Sequence, residues 1–65
     1  MPMIQVHMLK GRSTMQKRQF VKELAELTVR ALQVPEHAVL ILLDEVDPEH
    51  WGIGSRTKAD IDQAT

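Results

Sequence analysis

The chain has no cysteine and no tyrosine, and it holds one tryptophan, one phenylalanine, three glycines and three prolines in 65 residues. Without cysteine, neither a disulfide framework nor a thiolate metal site can staple so short a chain. Nor is a structural zinc expected, because His7, His37 and His50 are far apart and none has a partner at ligand spacing. Gly11, Gly52 and Gly54 do not form a phosphate-cradling loop, so nucleotide cofactors are unsupported and no metal or organic cofactor is expected. The formal net charge is -1 and the basic residues are scattered, which offers no footprint for nucleic acid or an anionic membrane. No apolar run approaches the roughly 20 residues of a membrane span, and nothing resembles a signal peptide, since Gln5 and His7 interrupt the first apolar run. A cytoplasmic location is the expectation.

What the chain does have is apolar content, 43% of its residues. A chain of this size buries only about 60% of the surface its unfolded form exposes, so a lone subunit is marginal. With disulfides and metals set aside, association with further copies remains, and an obligate oligomer is expected.

The residues of the single domain 1–65 divide into a few elements. Ile4, Val6 and Met8 alternate with Met3, Gln5, His7 and Leu9, which predicts a strand starting at residue 2. Lys10, Gly11 and Arg12 make a turn, and Ser13 with Gln16 three residues on forms a capping box, so a helix starts near Thr14. Over residues 14–33, Phe20, Leu24, Leu27 and Ala31, with Val21, Thr28 and Leu32 beside them, recur at helical spacing and predict the face that packs on a sheet. Pro35 ends the helix, and Pro35, Glu36 and His37 read as a connecting turn. The apolar run 39–43 suits a strand buried on both faces, or one covered by its own helix and by a neighbouring subunit. Residues 44–49 read as a turn around Asp47 and Pro48, residues 51–54 as a small hairpin, and residues 55–65 as a loosely held polar tail. Strand, helix and strand imply a parallel crossover, an α+β fold with a β-α-β core and a short C-terminal hairpin.

Three residues draw chemical interest. Once the initiator methionine is trimmed, Pro2 ends in a secondary amine. Apolar surroundings and a nearby cation disfavour its protonated form, leaving a base near neutrality. Proline also opens strands without any chemistry, so Pro2 alone decides nothing. Arg12, at the mouth of the helix, can present its fork to a carboxylate, or simply be a solvated turn residue. Trp51 can wall a site or anchor an interface.

Pro2, the string Gln5-x-His7-x-Leu9-x-Gly11-Arg12-Ser13, Gln16-Lys17, Pro35 and the aromatic-Gly-Ile-Gly at 51–54 together resemble the 4-oxalocrotonate tautomerase family, collinearly over residues 2–54. That resemblance implies a β-α-β subunit in a hexamer, a trimer of dimers, with sites where subunits meet. It implies Pro2 as the general base that moves a proton on a 2-hydroxydienoate or related enol. Arg12 matches the carboxylate-holding arginine, Leu9 a backbone contact, and Trp51 the aromatic that shapes the pocket. One departure stands out: Leu40 occupies the place of a second arginine that polarises the substrate. Loss of such a donor costs about a hundredfold in rate unless something substitutes. Arg56 in the tail, a water, or a substrate with a single carboxylate are the options.

Two rival functions follow the same residues. The prolyl amine could activate water for hydration or dehalogenation of an unsaturated acid. If methionine is retained, the acylated nitrogen is no base and the chain is an oligomeric scaffold. A ribbon-helix-helix DNA-binding dimer is disfavoured by the β-rich second half and the acidic balance.

Overall fold

The computed structural model describes residues 1–64. Strand β1 (Met3–Leu9) leads into helix α1 (Thr14–Leu32), and strand β2 (Leu40–Val46) returns alongside β1. The two strands are parallel, with Met3 opposite Leu40 and Leu9 opposite Val46. Parallel neighbours require a crossover, and α1 is that crossover.

Side chains in this sheet alternate strictly, as the pleat demands. Pro2, Ile4, Val6 and Met8 on the first strand and Ile41, Leu43 and Glu45 on the second are half-buried. Met3, Gln5, His7, Leu40, Leu42 and Asp44 are exposed on the opposite face. Strand β2 runs three residues further than the apolar stretch suggests, so residues 44–46 are strand rather than turn. Although the run 39–43 is uniformly apolar, only one of its two faces is covered within the chain.

Helix α1 begins as its capping box requires: Ser13 Oγ accepts from the Gln16 amide at 3.1 Å, and Gln16 Oε1 accepts from the Ser13 amide at 2.9 Å. It ends at Gln33, which takes the left-handed conformation at φ 56°. The covered face is centred on Val21, Leu24, Ala25, Thr28 and Val29, and it includes Lys17. Thr28 is the one buried side chain among the described residues, and its hydroxyl donates to the Leu24 carbonyl at 2.8 Å. Phe20, Leu27, Ala31 and Leu32, expected on this face, are exposed instead. The first three lie about a quarter-turn round the helix from its centre, because residues advance by roughly 100° each. One flat sheet covers only part of so wide an apolar arc, and the remainder is left uncovered.

The second half departs further from expectation. A one-turn 3-10 helix at Pro48–His50 precedes a two-residue hairpin of β3 (Gly52–Ile53) and β4 (Arg56–Thr57), then a short helix α2 (Lys58–Gln63). Of the expected loose tail 55–65, Arg56–Thr57 are a strand and Lys58–Gln63 a helix, and Thr65 lies outside the described residues. Thr57 caps α2, accepting from the Asp60 amide at 3.2 Å, and the Lys58 amide donates to the Trp51 carbonyl at 2.7 Å. These bonds fold the segment back onto the 48–51 turn.

Candidate active site

Pro2 sits at the first rung of the sheet, where its carbonyl accepts from the Leu40 amide at 3.0 Å. Its ring points to the helix-covered face, in line with Ile4 and Val6, and is half-buried. Leu40 is close through the backbone but faces the other way, beside its register partner Met3. Met3, Leu40 and Leu42 together make an apolar patch on the open face, each 45% to 61% exposed.

Arg12 lies at the opposite end. Gly11 turns the chain sharply out of β1 at φ 132°, a backbone region that side chains other than glycine rarely occupy. Arg12 is thereby swung to the rim of a recess of about 220 Å³ lined by Val6, Met8, Arg12, Gln16, Lys17 and Phe20. Small-molecule sites usually enclose about 300 Å³ or more, so this recess is smaller than a usual complete site. Lys17 Nζ pairs with Glu45 Oε1 at 2.8 Å, both side chains 28% exposed. Among the described residues Arg12 has no ion-pair or hydrogen-bond partner. It is the recess's one uncompensated charge.

Leu9 ends β1 on the same side as Arg12, opposite Val46. There the Lys10 amide donates to the Val46 carbonyl at 3.0 Å, and Lys10 Nζ meets Asp47 Oδ1 at 2.9 Å. That hydrogen bond, and then the charge behind it, holds the Asp47 carboxyl below its ordinary value and raises the Lys10 amine above its own. Trp51, half-buried, follows just beyond this end of β2. Arg56 is exposed in the hairpin, where a guanidinium nitrogen donates to the Asp60 carbonyl at 3.3 Å.

The expected site residues therefore fall into two groups. Pro2 and Leu40 mark one end of the sheet, and Leu9, Arg12 and Trp51 the other. The strand rise puts Pro2 about 23 Å from Leu9, so a single chain does not bring its proline to its own arginine. Sequence reasoning missed Val6, Met8, Phe20 and the Lys17–Glu45 pair as parts of this region. Val6 and Met8 share the strand parity of Pro2, a usable signal, whereas the pairing of Lys17 with a residue 28 positions away had none. Among the described residues no three His, Asp or Glu side chains form a metal-binding group, and no helix is long and apolar enough to cross a membrane.

A family model described as tautomerase enzyme matches residues 2–61, seven residues past the point where the motifs end. A 2-hydroxymuconate tautomerase of Stutzerimonas stutzeri is 37% identical over 57 residues, 88% of this chain and 90% of that protein. Among solved structures, a 4-oxalocrotonate tautomerase isozyme from Methylibium petroleiphilum aligns with a TM-score of 0.93 at 38% identity, covering 98% of this chain and 100% of that one. A heterohexamer 4-oxalocrotonate tautomerase from Chloroflexus aurantiacus J-10-fl gives 0.86 at 34% identity, covering 94% and 98%.

Proposed function

The chain belongs to the tautomerase family and is an isomerase; on that premise we propose that it shifts a proton within enols and enolised keto acids, with Pro2 as base and Arg12 as carboxylate anchor. The observation that carries this reading is the apolar recess whose only uncompensated charge is a guanidinium. Such a surface takes an organic anion with an unsaturated, apolar body.

With Met1 removed, the Pro2 nitrogen accepts the enol hydroxyl proton, the electron pair moves through the conjugated system, and the same nitrogen returns the proton to a distant carbon. Substrate and product are isomers, so no other reactant is consumed. Arg12 binds the carboxylate through paired N–H donors. Leu9 contributes a backbone contact, and Trp51 an apolar wall.

Because Pro2 and Arg12 are at opposite ends of one chain, the site requires a second copy. Among the described residues the outer edge of β1 has no partner strand, and a free edge of seven residues invites pairing. Two β1 edges paired antiparallel about a two-fold axis normal to the sheet bring the proline of one copy beside residues 9–12 of the other. The same axis keeps both helices on one side, so that proline and the recess share a face. Three such dimers make the hexamer we expect, and the heterohexamer of the Chloroflexus relative is an assembly of that order.

The 2-hydroxymuconate of the relatives carries two carboxylates, whereas Leu40 supplies no charge to a second polar group. Arg56 of another copy, or a substrate with one carboxylate, resolves this. Intact-mass spectrometry, followed by ketonisation assays on 2-hydroxymuconate and phenylenolpyruvate, tests the reading. Met1 should be absent and Pro2→Ala should abolish turnover of both. Retained methionine, or full activity in Pro2→Ala, points instead to a scaffold. Net uptake of water by an unsaturated acid would favour a hydratase.

A further inference from the structure

We infer that Glu45 is a specificity-determining residue that acts through Lys17, keeping the Arg12 recess selective for ligands with one carboxylate. The inference rests on the proposed role of Arg12 and concerns what else the recess offers an anion.

Two cations line this recess, Arg12 and Lys17. They differ in one respect: Lys17 Nζ is held at 2.8 Å by Glu45 Oε1, while Arg12 is unpaired. Glu45 comes from β2, on the covered face, and its side chain is as sheltered as that of Lys17. The pair is therefore partly sheltered from water, a setting where a partner neutralises a charge more completely than at a fully open surface. Lys10 also feels the Glu45 charge but is itself paired with Asp47 at the end of the sheet, and Arg18 is exposed. Arg12, Lys17 and Glu45 sum to a single positive charge, enough for one carboxylate.

A lysine is a flexible point charge with three donors. Once released from Glu45 it can turn into the recess and meet a second carboxylate. Glu45 thus sets how many anionic groups the recess accepts without touching the ligand itself.

Glu45→Gln tests this, because it keeps the shape and removes the charge. The ratio of kcat/KM on 2-hydroxymuconate to that on phenylenolpyruvate is expected to rise about tenfold, the order of one charge-assisted hydrogen bond in a sheltered site. The gain should appear in KM for the diacid and shrink as salt is added. In the double variant Lys17→Met/Glu45→Gln the ratio should return to the wild-type value. An unmoved ratio in folded Glu45→Gln, or a gain that persists without Lys17, overturns the inference. Should Glu45→Gln not fold, Lys17→Gln serves, since it leaves Glu45 unpaired beside Arg12 and should raise KM for the diacid more than for the monoacid; equal shifts count against the inference. Wild-type protein inactive on both acids, or Arg12→Ala with both KM values intact, refutes the Arg12 reading and this inference with it. Arg12-dependent turnover with an unmoved ratio sinks the inference alone.

Discussion

Arg12 and Arg56 are both exposed guanidiniums, yet only Arg56 spends a donor on the protein, bonding the Asp60 carbonyl. Arg12 borders apolar surface with no partner among the described residues, which is the condition of an anion anchor. Arg12→Ala is expected to lower kcat/KM on either acid by about a hundredfold, the usual loss when a donor to the reacting anion is removed. If Arg56 stands in for the charge missing at Leu40, Arg56→Ala should depress kcat about as much; an unchanged kcat dismisses it. The Lys10–Asp47 clip gives a pH signature. Asp47 is lowered, so its contribution is present above the ordinary carboxyl value of 3.8 and fades as pH falls through the folded value. Lys10 is raised, so its contribution is present below the ordinary 10.5 and fades as pH rises through the folded value. Asp47→Asn should therefore return the Lys10 amine to titrating at lower pH, which side-chain NMR can follow. Pro2 and Arg12 were legible as candidates from residue type and neighbours. The silencing of Lys17 by Glu45 was not, because it joins residues from two elements.

At the scale of elements, local signals performed well where they act through the backbone. The Ser13 to Gln16 capping box set the start of α1, and Ser13→Ala should cost about 1 kcal/mol in denaturant unfolding. At the other end Gln33 holds φ 56°. Gln33→Gly, which relieves the left-handed conformation, should gain about 0.5 to 1 kcal/mol in the same measurement. Periodicity places Val21, Leu24 and Thr28 on the covered face of α1, where they are, but adds Phe20, Leu27 and Ala31 a quarter-turn away, since it reports an apolar arc and does not say which part meets the sheet. Helix α2 went unread because it is six residues long. It is held by the Thr57 cap and by the Trp51 carbonyl, and only the cap has a local signature.

For the whole molecule, no apolar side chain among the described residues is fully buried. The radius of gyration is 15.4 Å, where a compact domain of this length has about 11 Å. One chain thus leaves its apolar content uncovered, and the melting temperature should rise with protein concentration, as it does when association and folding are linked. Complementation tests the shared site directly. An inactive Pro2→Ala chain and an Arg12→Ala chain lowered about a hundredfold should recover about a quarter of wild-type activity when unfolded together and refolded as two-fold hybrids. No recovery would mean that each site uses one chain. Composition alone pointed to partners, since a cysteine-free sequence of 65 residues closes only a marginal core. Spacing determined the β-α-β order, and the motif string determined the family. Only the tertiary structure decided that Leu40 faces away from the proline and that Lys17 is already paired. Each of these depends on strand register and side-chain direction, which link residues distant in the chain and leave no periodic trace within it.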